Sequence, residues 1–207
     1  DTNYDVFAVG SVADDSLMLL PVNSTETSVT AGNAQVQIVH AASAAPTVDI
    51  YVTAPDAMLA DEQPLVTAEF TDATDLVQVP AGEYRIRITP AGSMDVVFDS
   101  GTVALADGAD LLVAATNNTG SGDSPVTLLV ADGESAVKLW DANTTADIRV
   151  VHGISDAPAV DVIANNELVL VDALAFPMAT DYLSVMPADY LIDVVADADN
   201  SIVAIDD

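Results

Sequence analysis

The chain has 207 residues, 51% of them hydrophobic, and sets 33 acidic residues against 4 basic ones for a formal net charge of -29. So negative a surface repels nucleic acid and anionic membranes, and no apolar run reaches the roughly 18–20 residues that span a bilayer. Cysteine is absent, which removes disulfides, thiol catalysis and Cys-based zinc sites. Aspartate supplies 27 of the acids, and Lys138 is the only lysine. The acids are spread evenly, which reads as a solubilising coat on a secreted protein in a salty medium, where counterions screen self-repulsion. Divalent-cation binding is the sharper alternative. The sequence starts at Asp1 with neither an initiator methionine nor a leader, as expected of a piece processed or cut from something longer.

In chain order, the first apolar runs are YDVFAV (Tyr4 to Val9) and SLMLLPV (Ser16 to Val22). QVQIVH then ends on His40, followed by Pro46 and by Asp49 within TVDIYV. APDAMLADEQP has room for one helical turn on a loop. VPAGEYRIRITPAG (Val79 to Gly92) reads as a strand, a Pro-Ala-Gly turn, an alternating strand and a second turn. DLLVAA (Asp110 to Ala115) and VTLLVA (Val126 to Ala131) follow, joined by the Gly/Ser-rich TNNTGSGDSP. From Ile148 the pattern restarts. IRVVHGISDAPAVDV repeats VQIVHAASAAPTVDI at an offset of 112, carrying His40, Pro46 and Asp49 onto His152, Pro158 and Asp161. FPMATDYLSVMPADYLIDV (from Phe176) answers FTDATDLVQVPAGEYRIRI (from Phe70) at an offset of 106, the difference being a longer loop between Thr53 and Phe70.

The two ends are out of phase with this repeat. YDVFAV resembles DLLVAA, and SLMLLPV resembles PVTLLVA, so residues 1–33 read as the C-terminal strands of a split repeat. Residues 34–145 form a complete repeat, and 146–207 the N-terminal part of another, with SIVAIDD answering DVVFDSG near Gly101. Short Val/Ile/Leu-rich runs bounded by Gly, Pro, Asn and Asp, without an amphipathic helix, predict an all-β fold. The expected architecture is tandem antiparallel immunoglobulin-like β-sandwiches, one complete and one split. A half-sandwich exposes sheet edges and one face of its core. Residues 1–33 of the same chain or of a neighbour would complete it. Between chains this is strand addition, and a head-to-tail joint generates an open filament. A third case is a segment cut from a long tandem array.

At VVHGISDAPAVDV, DYLSV and VPAGEYRIRITPAG the chain resembles a bacterial and archaeal family known as domain of unknown function 4397. The likeness covers both repeats and is closer in the second histidine motif. The first copy departs from it, with Ala44 where the second has Asp156. The resemblance implies secreted or surface-anchored tandem β-sandwiches and brings no catalytic residue.

His40 and His152 are the only histidines and sit at matching places. One reading pairs each with Asp49 or Asp161 as a metal ligand or general base. The favoured reading is structural: the imidazole ends a strand and bonds the following loop, fixing the Ala-Pro turn. Asp49 and Asp161 alternate with apolar neighbours, so they are expected on a solvated face or capping a turn. DVVADADN has acids at 193, 197 and 199 but lacks the Gly and final Glu of an EF-hand, so it reads as a hairpin turn. No catalytic, cofactor or metal site is therefore expected, calcium being the one ion the acids invite. TNNTGSGDSP lies between strands and is no phosphate loop. Asn23, Asn117 and Asn143 each head an Asn-x-Ser/Thr sequon in an expected loop, where glycosylation acceptors must lie. Tyr84 and Tyr190 match across the repeats and are expected to pack the sandwich as a tyrosine corner does.

The sequence thus points to a non-enzymatic, extracellular or cell-surface structural protein. It is a filament subunit or array segment, with copies of itself as head-to-tail partners, and no nucleic acid or membrane insertion. The alternative is an adhesin-like module that recognises glycan or protein, with calcium.

Overall fold

A computed structural model of the chain describes residues 2–25, 27–120 and 122–205. The fold is all β, and among the described residues the one helical piece is the 3-10 turn Leu59–Asp61 inside APDAMLADEQP. The last two residues of SIVAIDD lie outside the described residues. Two compact units divide the chain, Asp1–Thr144 and Thr145–Asp207.

Unit 1 contains β1 (Thr2–Val9), β2 (Met18–Thr25), β3 (Asn33–His40), β4 (Val48–Thr53), β5 (Val66–Ala68) and β6 (Val77–Pro80). It continues with β7 (Gly82–Pro90), β8 (Phe98–Leu105), β9 (Asp110–Asn117), β10 (Val126–Ala131) and β11 (Ala136–Leu139). One sheet has the order β11-β10-β9-β3-β6 and the other β5-β4-β7-β8. Their facing residues, Ile38, Val48, Ile50, Ile88, Phe98, Val113 and Leu128 among them, form one core. Period-2 alternation explains which residues these are: Val113 and Ala115 of β9 point into this core, and Ala114 between them points the other way. That other face is also covered. The β1–β2 hairpin lays Phe7, Val9, Leu20 and Val22 over Val39, Ala41 and Ala114. Gln37, buried in β3, donates to the Asn23 carbonyl of the hairpin and to the Thr74 carbonyl.

One pairing departs from the antiparallel expectation: β3 and β9 run parallel. The chain between them crosses through the second sheet, so it returns to β3 travelling in the same direction. The tyrosine corner is present twice. The Tyr84 hydroxyl donates to the Pro80 carbonyl at 2.7 Å, and that of Tyr190 to the Met186 carbonyl at 2.8 Å.

Unit 2 contains β12 (Ala146–Ile148), β13 (Val160–Ala164), β14 (Leu168–Leu174), β15 (Leu183–Val185), β16 (Ile192–Ala196) and β17 (Asp199–Ile205). Its sheets are β14-β13-β16-β17 and the pair β12-β15. They repeat β5-β4-β7-β8 and the pair β3-β6 of unit 1. The isolated bridge Val39↔Ala73 returns as Val151↔Ala179, at the two offsets read from the sequence. Val160, Val162, Val171 and Leu174 form the centre of the unit 2 core. On its outer side Val151 is 61% exposed, whereas its counterpart Val39 is fully buried.

Candidate functional site

The repeated histidine forms the same joint in both units. His40 ends β3 and is buried. Its Nε2 lies 3.1 Å from the Pro46 carbonyl oxygen, and its Nδ1 accepts from the Ala42 N–H at 3.3 Å. A carbonyl only accepts, so Nε2 carries the proton and the ring is the neutral Nε2–H tautomer. Phe70 meets the ring edge-on at 6.4 Å. In unit 2, His152 Nε2 lies 3.0 Å from the Pro158 carbonyl oxygen, Nδ1 accepts from Ile154 at 3.3 Å, and Phe176 supplies the edge contact at 6.4 Å. Both ring nitrogens of each histidine are thus engaged by backbone groups. The backbone around each ring is held the same way: Thr74 Oγ1 accepts from the Ile38 N–H, and Thr180 Oγ1 from the Val150 N–H.

The histidines and aspartates serve different groups. Asp49 accepts from the Thr67 hydroxyl through one oxygen and from the Gly92 N–H at 2.7 Å through the other, tying β4 to β5 and to the turn after β7. Asp161 accepts from the Ala173 N–H at 2.8 Å. Neither lies on a solvated face. Asp49 is 6% exposed and Asp161 5%, which corrects that half of the sequence expectation in favour of turn capping. Alternation separates the two faces of a strand but does not say which of them is covered.

Asp161 also belongs to a group that sequence reading did not assemble. Carboxylate oxygens of Asp161, Asp172 and Asp197 all lie within 4.8 Å of one another, Asp161 buried and the other two exposed. In unit 1 the residue opposite Asp49 is Thr67, whereas a bulge in β14 sets Asp172 and Ala173 opposite Asp161. Asp197, in the β16–β17 turn, donates its N–H to the Ala159 carbonyl as Ala91 does to Thr47. Three oxygen donors of this kind suit a hard cation such as calcium. Aligning the two repeats would have located Asp197 at Ala91, but the bulge that brings in Asp172 leaves no sequence signal.

The sequons are placed differently from expectation, since only Asn143 lies in a turn, exposed between β11 and β12. Asn23 is exposed but within β2. Asn117 closes β9, where its amide donates to Ser43 Oγ at 3.1 Å and accepts from the Ala44 N–H at 3.0 Å. Alternating strand residues can face solvent, so exposure and loop position are separate properties. The space between the sheets of unit 1 is lined by aliphatic side chains, including Val36, Ile50, Ile86 and Ile88.

No curated protein and no solved structure matches the chain. The family model described as a domain of unknown function (4397) matches residues 1–51 and 146–207, segments that contain the N-terminal hairpin and both histidine joints. That match spans more than half of the chain, and the protein belongs to this family.

Proposed function

We propose that this protein is a non-enzymatic structural subunit of the cell exterior, whose copies join head to tail by strand complementation. The observation that carries the reading is the open edge of unit 2. In unit 1, β3 is flanked by β6 on one side and by β9 on the other. Its counterpart β12 has β15 as its strand partner and no other among the described residues. The β1–β2 hairpin, the counterpart of β9–β10 in sequence, is likewise a two-stranded sheet with no further strand partner among the described residues. An unpaired edge beside half-covered apolar residues is a template for another strand. Because donor and acceptor are different surfaces, the joint is heterologous and propagates into a filament or array. The histidine joints are part of the scaffold, each fixing the loop that follows β3 or its counterpart segment in unit 2.

Deleting residues 1–33 tests this reading. The expected product is soluble but less stable, and no longer polymerises when viewed by electron microscopy beside the intact chain. Filaments of unchanged length and number after the deletion would sink the proposal. The Asp161, Asp172 and Asp197 group favours a second reading, an adhesin-like module that recognises glycan or protein with calcium. Absence of filaments together with calcium-dependent capture on a glycan array would select it.

A further inference from the structure

Resting on the head-to-tail reading, we infer which face of the hairpin enters a second copy and in what register: Tyr4, Val6 and Ala8 enter the open core of unit 2, with β1 parallel to the Asp147–His152 segment and Val6 beside Val150.

Unit 1 supplies the template. There β9 pairs with β3 as Val36↔Leu111, Gln37↔Leu112, Ile38↔Val113 and His40↔Ala115. The core-facing residues of this pair of strands are Leu111, Val113 and Ala115 on β9, with Val126, Leu128 and Val130 on β10. Shifting β3 by 112 gives the acceptor, so Ile148, Val150 and His152 take the places of Val36, Ile38 and His40.

Pairing within the hairpin sets the donor register. Placing SLMLLPV on PVTLLVA puts Leu19 on Leu128 and Leu20 on Leu129. The strand partner of Leu19 is Ala8, and that of Leu128 is Ala115. Ala8 therefore stands for Ala115, Val6 for Val113 and Tyr4 for Leu111. Reading β1 alone, as YDVFAV on DLLVAA, is out by one residue. A slip of one exchanges the two faces of a strand, so the correction decides which side chains enter.

Two further observations agree with this register. Phe7, Val9, Leu20 and Val22 already pack on unit 1, while the opposite face is bare: Tyr4 is 68% exposed, Val6 61%, Leu17 61% and Leu19 69%. Charge complementarity is the second. The register sets Asp5 beside Arg149, in the places of Leu112 and Gln37, and Arg149 is one of only four basic residues in the chain. The slipped register would instead put Asp5 beside Ile148 on the core side and bury its carboxylate among aliphatic groups, which is strongly unfavourable. The occupant is a second copy of this chain, because the hairpin already packs its Phe7, Val9, Leu20 and Val22 face on unit 1, while β1 and β12 each carry half of one sandwich and each have a single strand partner among the described residues.

The absence of cysteine makes the register directly readable by disulfide trapping in the full-length chain. Val6→Cys and Val150→Cys variants, mixed and oxidised under assembly conditions, are expected to give a covalent two-chain band on a non-reducing gel. Each variant alone should give little of it, and Phe7→Cys mixed with Val150→Cys should give at least about tenfold less, since successive strand residues face opposite sides of the sheet and the two Cβ vectors then point apart. Trapping at Phe7 rather than Val6 would overturn the register and leave head-to-tail joining intact. The Val6→Cys/Val150→Cys double variant should form a ladder; an internally linked monomer would overturn the second copy as occupant. Filaments with no trapping at either position would refute this interface, and neither filaments nor trapping would remove both the interface and the proposed function.

Discussion

Replacing His40 by alanine strands two backbone groups at once, the Pro46 carbonyl and the Ala42 N–H. Each buried polar group left without a partner costs about 1–3 kcal/mol. His40→Ala is therefore expected to lower the stability of unit 1 by about 2–5 kcal/mol in urea unfolding, with His152→Ala acting similarly on unit 2. Unfolding left nearly unchanged by either substitution would sink the structural reading of the histidine. At this scale the sequence revealed that the histidine is used twice, because both copies sit in the same frame. It could not reveal the partner, because a carbonyl oxygen belongs to every residue and carries no signature. The buried state of Asp49 and Asp161 was hidden for a related reason: burial depends on what a later segment places over the strand.

Between elements, an ion pair ties β7 to β8. Arg85 holds Asp99 through Nε at 2.9 Å and through its terminal nitrogen at 2.5 Å, and the Gly101 N–H adds a bond at 2.9 Å. Burial alone would raise the Asp99 carboxyl, but the Arg85 and Gly101 hydrogen bonds outweigh it and hold the group below its ordinary value of 3.8. A carboxylate depressed in the folded state binds its proton more readily when unfolded. Its contribution is therefore complete above the ordinary carboxylate range and is lost as pH falls through the lowered folded value. Thermal unfolding followed from neutral pH downward should show Tm falling below about pH 4, and Asp99→Asn should start lower and lose part of that slope. An unchanged slope would assign acid sensitivity to other carboxylates. Most strands at this scale were legible as Val/Ile/Leu runs between turn residues. The parallel pairing of β3 with β9 was not, since strand direction depends on how many times the chain crosses between sheets.

At the scale of the whole molecule, a net charge of -29 opposes any joint between copies. Screening shortens the reach of that repulsion from about 10 Å at 0.1 M salt to about 3 Å at 1 M. Assembly followed by light scattering is thus expected to accelerate by about tenfold or more over this range. A rate that falls with salt would mean that contacts such as Asp5 with Arg149 outweigh the global charge. The sequence by itself determined the repeat, the all-β class and the family, because each is written in the order and spacing of side chains along one chain. Only the tertiary structure decided which face of β1–β2 is already occupied, that Asp49 and Asp161 are buried, and that Asp172 joins Asp161 and Asp197. Those properties arise from strand pairing and bulges, where a shift of one residue exchanges the two faces of a strand while leaving its sequence the same.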